Sequence, residues 1–451
     1  MSINPTRDLQ PGTRALAPVS LMTDHYELTM LQAALRSGTA LRPSVFEVFA
    51  RRLPEGRGYG VVAGTGRILE NLSAFRFGET ELEFLQSRQV VDARTLDFLA
   101  NFRFTGSMYG YGEGEVYFPN SPLLVVESSF AEACLLETYL LSVLNHDSAI
   151  ASAASRMSGA AGSRPCIEMG SRRTHEEAAV AAARAAVIAG FASTSNLEAG
   201  LRYGLTTQGT AAHSFTLLHD SEREAFAAQL ASLGKDTTLL VDTYDVVAAV
   251  RTAVELAGQE LGAVRLDSGD LVALARQVRA QLDELGNTST RIVVTSDLDE
   301  YAIAALAAAP VDAYGVGTSL VTGSGAPTAG MVYKLVSRAG DDGTFVPVAK
   351  AAKNKASVGG RKRALRRLNA RGVAEAEVIG IDHEPADDGN DRALMQDLVI
   401  DGVVQPGWTG PEAVHRAAER HRASTAELPG SWKRLQRGEP LIPTLYETDP
   451  V

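Results

Sequence analysis

Charged and hydroxyl-bearing residues follow the apolar runs in the middle of this chain. In VRLDSGDL, Arg265 and Asp267 stand two apart at the end of such a run, so both side chains point to one side of a strand. Ser268, Gly269 and Asp270 then open a helical pattern, where N–H groups and a hydroxyl suit a phosphate or a metal-bound pyrophosphate. A strand-to-helix turn with a capping aspartate accounts for the same residues equally well.

Two later runs end in a similar way. YGVGTSLV contains Gly315 and Gly317, which let the backbone approach a ligand closely, and Thr318, at a point where donors face an anion. VTSDLDE places Ser296 and Asp297 at another run end. Glycine pairs also form tight turns, and Asp297 suits an ordinary helix N-cap. Both segments are therefore candidates for phosphate binding, with a purely structural alternative.

A pair of arginines, Arg172 and Arg173, stands at the end of the run IEMGSRR. Two guanidinium groups there need anionic partners, which are either a substrate phosphate or carboxylate or an internal carboxylate. Between Ala131 and Gly330 the only lysine is Lys235, in the loop-like LGKDTT. A Schiff-base aldolase needs a lysine at a strand end, so the sequence disfavours that chemistry.

One of the eight histidines, His213 in GTAAHS, lies at a run end in line with these polar clusters. The small residues before it leave room beside the ring. A lone histidine is more often structural than catalytic, but a shared rim with Arg172, Arg265 and Asp267 makes the two interpretations equally strong. No histidines have the spacing of a metal cluster.

The elements that must position these residues alternate between short apolar runs and amphipathic helix patterns from about Pro165 to Leu335. Such alternation predicts parallel strands with right-handed crossovers, in an open doubly wound sheet or a closed barrel. Polar residues end seven successive runs, and in a barrel all of them face one rim, which favours the barrel. The predicted fold is an irregular TIM-like α/β barrel with an N-terminal α+β sandwich-like domain and a small C-terminal region.

The domain boundaries follow from changes in pattern along the chain. We predict a flexible tail over residues 1–20, an N-terminal α+β domain over 21–135 and a barrel with the active site over 136–340. Residues 341–451 hold a basic segment and a tail that partly returns to the N-terminal domain. The basic stretch AKAAKNKASVGGRKRALRR is either a flap that reaches ATP or pyrophosphate or a solvated loop.

Composition restricts the class of protein. The 451 residues are 45% hydrophobic, enough for a large core in more than one domain, and the net charge of −11 disfavours a nucleic-acid binder. Charges interrupt every apolar run that might span a membrane, and the N-terminus lacks the apolar core of a signal peptide. Cys134 and Cys166 fit reduced thiols. We expect a cytoplasmic protein with neither a nucleic-acid nor a membrane partner.

The ordered motifs closely resemble those of bacterial nicotinate phosphoribosyltransferases, a type II phosphoribosyltransferase family. The resemblance extends to about residue 365 and leaves the last eighty or so residues unmatched. It rests on a series that runs in this order: LMTDHYELTM, FEVFARRLP, YGVVAGTGR, FRFTGSMYGYGEGEVYFP, IEMGSRR, GFASTSN, GTAAHS, VRLDSGDL, TSDLDE, YGVGTSLVTG and MVYKLV.

This resemblance implies an enzyme that joins nicotinate to 5-phosphoribosyl 1-pyrophosphate, giving nicotinate mononucleotide and pyrophosphate in NAD salvage. It implies Mg²⁺ as cofactor and ATP as co-substrate, with ATP hydrolysis coupled through a phosphohistidine at His213. Members are commonly homodimers with shared active sites, in which a tyrosine of one subunit completes the site of the other. Tyr26 matches that tyrosine.

The resemblance also assigns roles to the candidate residues. His213, Arg265 and Asp267 would be catalytic, with Asp267 a tentative Mg²⁺ ligand. Nicotinate would contact Tyr26, Arg172, Ser195 and Asn196. Phosphoribosyl pyrophosphate would also contact Arg172 and Arg265, together with Ser268, Gly269, Ser296, Asp297, Gly315, Gly317 and Thr318.

Three rival functions are weaker. In the related nicotinamide enzyme an aspartate binds the carboxamide, whereas Ser195 stands at the matching position and does not repel a carboxylate. Quinolinate phosphoribosyltransferase needs barrel lysines for a second carboxylate, and between Ala131 and Gly330 only Lys235 is present. A catalytically inactive sensor would have no need for Arg172, His213, Arg265 and Asp267.

Overall fold

The computed structural model describes residues 18–350, 357–435 and 438–447. Almost all of the predicted N-terminal tail, and residues 351–356 of the basic stretch, lie outside the described residues. The chain divides into two compact units. The first unit combines Met1–Ser152 with Ala326–Val451, and the second unit is Ala153–Gly325.

The helices alternate with strands through much of the chain. The α-helices are α1 (His25–Ser37), α2 (Thr65–Leu72), α3 (Glu79–Ser87), α4 (Ala93–Ala100), α5 (Phe130–Leu135), α6 (Glu137–Ala161), α7 (Glu176–Ile188), α8 (Leu197–Tyr203), α9 (His213–Leu218), α10 (Glu222–Leu233), α11 (Val246–Ala257), α12 (Leu271–Glu284), α13 (Glu300–Ala305), α14 (Thr318–Val321) and α15 (Gly410–Ala426). Short 3₁₀ turns occupy Ser20–Met22, Ser171–Arg173, Gly258–Glu260, Leu306–Ala308 and Gly430–Lys433.

The longest strands are in the first unit, and the described strands of the second unit have at most four residues. They are β1 (Pro43–Ala50), β2 (Gly60–Val61), β3 (Ser107–Tyr111), β4 (Val116–Tyr117), β5 (Leu124–Ser129), β6 (Cys166–Glu168), β7 (Ser193–Thr194), β8 (Thr238–Leu240), β9 (Ala263–Leu266), β10 (Arg291–Val294), β11 (Ala313–Val316), β12 (Met331–Ala339), β13 (Phe345–Pro347), β14 (Lys362–Leu368), β15 (Ala374–Ile381), β16 (Arg392–Ala393), β17 (Met395–Ile400), β18 (Val403–Val404) and β19 (Thr444–Glu447).

The first unit is built on an antiparallel seven-stranded sheet in the order β13-β12-β1-β5-β3-β17-β18. β1 lies between β12 and β5, and all its residues after Pro43 are buried. Strands with both faces covered are near-continuous apolar runs, as in PSVFEVFA. A four-stranded sheet, β16-β14-β15-β19, and the pair β2-β4 complete the unit.

The basic stretch of the sequence is more ordered than its composition indicates. Residues 362–368 form β14, in which Lys362 and Arg366 are fully buried. Lys362 Nζ lies 2.6 Å from the Glu47 carboxylate. Neither a flap nor a solvated loop describes this part, so both expectations are wrong here. Their failure has a physical cause, because the acidic partners are far away in sequence and a local charge count misses them.

The second unit contains a six-stranded parallel sheet in the order β7-β6-β11-β10-β9-β8. This confirms the α/β class and the parallel strands expected from the alternating pattern. Ladder pairing ends at β7 and β8, and within the described residues no ladder joins these two strands. A single parallel bridge from Thr194 to Thr207 extends the β7 side. The run LTTQGTAAHS thus forms one bridge rather than a strand, since most of its residues are exposed.

Aspartates begin three helices of the second unit. Asp245, Asp270 and Asp299 accept hydrogen bonds from the third residue of α11, α12 and α13, respectively. Each helix starts five or six residues after the end of the preceding strand, so the connecting segments are short. No helix of the described residues has the length and hydropathy needed to cross a bilayer.

Candidate active site at the carboxyl ends of the parallel strands

The candidate residues of the second unit follow the carboxyl ends of its parallel strands. Such ends meet at one edge of a sheet, where α/β proteins bind ligands. His213, Arg265, Asp267 and Arg172 interact in this region, either directly or through charge. Two of the predicted site residues, Arg265 and Gly315, are the second-last residues of their strands. The other predicted site residues of this kind follow a strand: Arg172, Ser195, Asn196, Asp267, Ser268, Gly269, Ser296, Asp297, Gly317 and Thr318.

His213 is the first residue of α9, and both ring nitrogens face polar side chains. Nδ1 lies 3.1 Å from the Thr243 hydroxyl, beyond β8. Nε2 lies 3.7 Å from the Asp267 carboxylate, beyond β9. The ring is 40% exposed, so a ligand can reach it. These contacts hold the ring between two strand ends while leaving one side accessible.

Arg265 donates to the segment that precedes His213. Its Nη1 lies 2.7 Å from the Thr210 hydroxyl and its Nη2 2.9 Å from the Ala211 carbonyl oxygen. Burial lowers the pKa of Arg265, and the charge of Arg172 acts in the same direction, whereas nearby carboxylates oppose it. Two guanidinium groups near each other favour an anion between them.

Arg172 lies in the 3₁₀ turn after β6 and is exposed. Its guanidinium makes no hydrogen bond or ion pair with any described residue. The nearby Glu168 carboxylate instead accepts from the Gly170 N–H and the Thr194 hydroxyl. The structure therefore shows no internal carboxylate among the described residues as the partner of Arg172, and its exposed guanidinium is accessible to a ligand.

Two carboxylates meet beside these arginines. Asp242 Oδ2 accepts from the Asp267 N–H and the Ser268 hydroxyl, each at 2.8 Å, while the Thr295 hydroxyl donates to Asp267 Oδ1. Asp242 Oδ1 is buried and has no hydrogen-bond partner among the described residues. Carboxylate oxygens are the ligands that Mg²⁺ prefers. The orphaned oxygen of Asp242 and the partly exposed Asp267 thus fit a magnesium ion.

Backbone strain marks a third strand end. Ser296, directly after the buried Thr295, has φ +146°, which is rare for a residue with a side chain. Strained backbone concentrates at functional sites, so this residue fits a ligand-binding turn. Asp297 is exposed and does not begin α13, whose N-cap is Asp299. The helix-cap alternative for Asp297 is therefore excluded.

The three predicted site glycines differ in why glycine is present at each position. Gly269 has φ +85°, where glycine is favoured. At Gly315 an added Cβ would collide with the side chains of Thr295 and Met169, so packing requires this glycine. At Gly317, the N-cap of the single-turn helix that begins with the exposed Thr318, an added Cβ would meet only ordinary contacts. The structure thus gives Gly315 a packing reason rather than a ligand-contact reason.

The two residues after β7 are unequal as candidates. Ser195 is exposed and uses its N–H to bond the Glu168 carbonyl oxygen, at 2.8 Å. Asn196 caps α8 by accepting from the Ala199 N–H, and its side-chain amide donates to the Ser171 hydroxyl. Ser195 therefore has a hydroxyl that can bind a ligand. The Asn196 side chain is already bonded within the fold, and its bond to Ser171 helps to fix the 3₁₀ turn that contains Arg172.

Tyr26 is in the first unit, on α1, and its side chain is partly exposed. Burial raises its pKa to about 12, and the charges of Glu137 and Glu27 act in the same direction. Its hydroxyl contacts Glu137 and Thr138. The tyrosine is therefore neutral at physiological pH, with an apolar ring face available to a ligand.

Sequence reasoning missed several residues that hold the site together. Thr210, Thr243 and Thr295 each form a hydrogen bond to a predicted site residue, namely Arg265, His213 and Asp267, respectively. The negative charge of Asp242 also acts on Glu222. For Asp242 the run end in LLVDTYD was a usable signal. The threonines offered no signal of their own, because a hydroxyl in a loop is common.

A parallel α/β sheet whose strand ends gather arginines, carboxylates and a histidine defines a protein that binds a phosphate-bearing ligand and carries chemistry for its transformation. Comparisons with known proteins identify the family. Residues 21–145 match the model of the nicotinate phosphoribosyltransferase N-terminal domain. A nicotinate phosphoribosyltransferase of Mycobacterium tuberculosis is 57% identical over 438 residues, which cover 95% of each chain.

More distant relatives agree. A nicotinate phosphoribosyltransferase of Bacillus subtilis is 39% identical over 82% of this chain and 78% of its own length. The crystal structure of human nicotinic acid phosphoribosyltransferase superposes with a TM-score of 0.81 at 25% identity, covering 94% of this chain and 97% of the human one. The chain belongs to the nicotinate phosphoribosyltransferase family of enzymes, which confirms the resemblance seen in the sequence motifs.

Proposed function

We propose that this enzyme joins nicotinate to 5-phosphoribosyl 1-pyrophosphate, giving nicotinate mononucleotide and pyrophosphate, with ATP as co-substrate. The observation that carries the proposal is the meeting of His213, Arg265 and Asp267 at one sheet edge, in a chain 57% identical to the M. tuberculosis relative. The proposed setting is NAD salvage in the cytoplasm.

The transfer step requires stabilisation of charge rather than a strong base. The nicotinate ring nitrogen attacks C1 of the ribose as the bond from C1 to the pyrophosphate oxygen breaks, and the electron pair leaves with pyrophosphate. Arg172 and Arg265 stabilise the negative charge that develops on this leaving group. Asp267 and Asp242 would hold Mg²⁺, which supplies further positive charge to the pyrophosphate. Ser268, Ser296 and Asp297 would position the ribose and its 5′-phosphate.

His213 is the proposed phosphoacceptor. A ring nitrogen forms a bond to the γ-phosphorus of ATP as the bond to the β,γ-bridging oxygen breaks, which releases ADP. Water later cleaves the N–P bond and gives inorganic phosphate. The exposed side of the ring and the nearby arginines support this role, because both the phosphoryl group and the pyrophosphate need cationic neighbours.

Nicotinate is the proposed base for a reason of charge. Ser195 is uncharged and its hydroxyl can donate to a carboxylate, while Arg172 adds a free cation. Nicotinamide and quinolinate remain the alternatives. Incubation of the full chain with each base, phosphoribosyl pyrophosphate and Mg²⁺, with and without ATP, separates them by product mass and CO₂ release. Nucleotide from quinolinate with CO₂, or none from nicotinate, would contradict the proposal.

A homodimer with shared sites is the proposed assembly, in which Tyr26 of one subunit stacks on the base bound by the other. Exposed apolar side chains that a second copy would cover occur on α1, as Tyr26 and Met30, and on α9, as Leu217 and Leu218. Mixing Tyr26→Ala and His213→Ala subunits should restore activity, because one site of the hybrid has both residues. No recovery in proven hybrids would contradict sharing.

The phosphohistidine has its own test. His213→Ala should abolish acid-labile phosphoprotein and the ATP hydrolysis linked to nucleotide formation, measured together in one reaction. His219→Ala is the matched control, since that ring nitrogen bonds the Phe215 carbonyl oxygen within the same turn of chain. A His213→Ala variant that still hydrolyses ATP in step with product would remove His213 from this role.

A further inference from the structure

We infer that Thr210 is a positioning residue, which holds the segment carrying His213 in place through Arg265. This inference rests on the proposed function, in which His213 accepts a phosphoryl group and Arg265 binds the pyrophosphate. The segment Gly209–Ala212 is called the histidine loop below. Its contacts link the anion-binding arginine physically to the phosphoacceptor.

The histidine loop has few other anchors. Before it, the Gln208 N–H bonds the Thr194 carbonyl oxygen at 2.9 Å. Arg265 forms two hydrogen bonds to this loop, one to the Thr210 hydroxyl and one to the Ala211 carbonyl oxygen. Gly209–Ala211 form no other hydrogen bond with the described residues. A Cβ added at Gly209 would meet nothing within 4 Å, so packing adds little restraint on that side.

The geometry explains why a threonine is useful here. Arg265 extends from β9, whose backbone is fixed by β8 on one side and β10 on the other. Each Nη atom gives one N–H to the loop and keeps a second N–H, which can donate to an anion. The guanidinium can therefore hold the loop and bind pyrophosphate at once. An anion that fixes Arg265 would also fix Thr210 and, three residues later, His213.

Substitution of Thr210 should separate this role from general stability. Thr210→Val keeps the shape but removes the acceptor, so we expect phosphorylation of His213 to slow by about tenfold or more, the effect of one bond to a charged group. The KM for nicotinate should change little. Thr210→Ser retains the hydroxyl and should restore the parent values. Thr206→Val is the control, because this exposed hydroxyl has no hydrogen bond to a described residue.

A second measurement is independent of activity. Hydrogen exchange of the α9 amides should be faster in Thr210→Val than in the parent chain, and added pyrophosphate with Mg²⁺ should slow it in the parent but much less in the variant. Equal exchange in both proteins, with or without pyrophosphate, would overturn the inference. A second outcome separates the two proposals. If hydrogen exchange differs between the proteins but the parent makes no nucleotide, the role of Thr210 in holding the histidine loop is supported and the proposed function is contradicted.

Discussion

Charges are paired differently around the buried Arg366 of the first unit and at the strand ends of the second unit. In the first unit, a buried ionic network surrounds Arg366, and its acidic and basic groups neutralise one another. At the strand ends of the second unit, Asp242 Oδ1 is buried without a hydrogen-bond partner among the described residues, and the exposed Arg172 has no ion pair with any of them. Charges that are matched inside the fold stabilise one conformation, whereas unmatched charges are available to a ligand.

The network of the first unit, which we call the Arg366 network, is dense. Arg366 is fully buried, with Nη1 2.9 Å from Glu115 and Nη2 2.6 Å from Glu377. Arg392 binds the other oxygen of Glu115 at 2.9 Å and also pairs with Glu427. Burial opposes ionisation of Glu115, but the guanidinium groups of Arg366 and Arg392 outweigh it and lower the pKa to about 2.

Removal of the central cation should have the largest effect on stability. Arg366→Met leaves the Glu115 and Glu377 carboxylates buried with too little positive charge, and loss of one partner of a buried ion pair costs about 3–5 kcal/mol. We expect a large fall in the thermal midpoint of the full chain, measured by calorimetry. Conversion of Glu115, Arg366 and Glu377 together to apolar residues should recover part of it.

The control for Arg366 lies on the same sheet. Arg371, in the turn between β14 and β15, is exposed, and Arg371→Met should change the free energy of unfolding by no more than about 0.5 kcal/mol. Equal losses for the two variants would show that the network adds nothing beyond ordinary packing, and the contrast between the units would disappear.

The converse substitution belongs to the second unit. Arg172→Ala removes an exposed guanidinium with no described partner, so the thermal midpoint should stay within the range of surface substitutions. Its effect should be on catalysis, with kcat/KM for phosphoribosyl pyrophosphate lower by about a hundredfold, as when one stabilising donor is removed from a reacting anion. Steady-state kinetics at saturating nicotinate and Mg²⁺ measure this.

Arg251 supplies the comparison for Arg172. It is exposed on α11, and Arg251→Ala should retain parent kinetics. An Arg172→Ala enzyme that loses stability but keeps its kcat/KM would reverse the assignment, since its charge would then have a structural partner rather than a ligand.

The strand ends of the second unit and the Arg366 network of the first unit also differ in how much of them could be predicted from the sequence. The position of the candidate residues at the strand ends of the second unit could be predicted, because strand ends, caps and short motifs lie close together in sequence, as in VRLDSGDL. The Arg366 network could not, because Glu115 and Arg366 are 251 positions apart and only the fold brings them together. Composition was misleading at this point: β14 is locally basic, yet its cations pair with carboxylates from other parts of the fold.

Within the site, types and places were predictable but not all contacts. Asn196 and Gly315 follow the motif pattern, yet the structure gives them internal roles, as a helix cap and as space for Met169. Thr210 and Thr243 lie in motifs that drew attention only to their neighbours. Such assignments depend on which side chain reaches which atom, and residue spacing along one strand does not determine distances between strands.

The smallest predicted effect concerns a carboxyl group at the edge of the site. Glu222 begins α10, and partial burial together with the charges of Asp245 and Asp242 raises its pKa to about 7. The unfolded chain loses this proton near pH 4.5, so the folded state binds more protons between about pH 4.5 and pH 7. Stability from this group is therefore present at low pH and is lost as the pH rises to about 7.

Glu222→Gln removes the titration without removing the helix start. We expect the variant to melt at a higher temperature than the parent at pH 8 in EDTA, and the difference to vanish as the pH falls below about 4.5. Glu224→Gln, in the same exposed turn, should show no such dependence. Added Mg²⁺ should narrow the gap at pH 8, because a cation at Asp242 would offset the charge that disfavours ionised Glu222. A difference in melting temperature that depends on neither pH nor Mg²⁺ would contradict this prediction. It would mean that the charges of Glu222, Asp242 and Asp245 are neutralised within the fold, as in the Arg366 network.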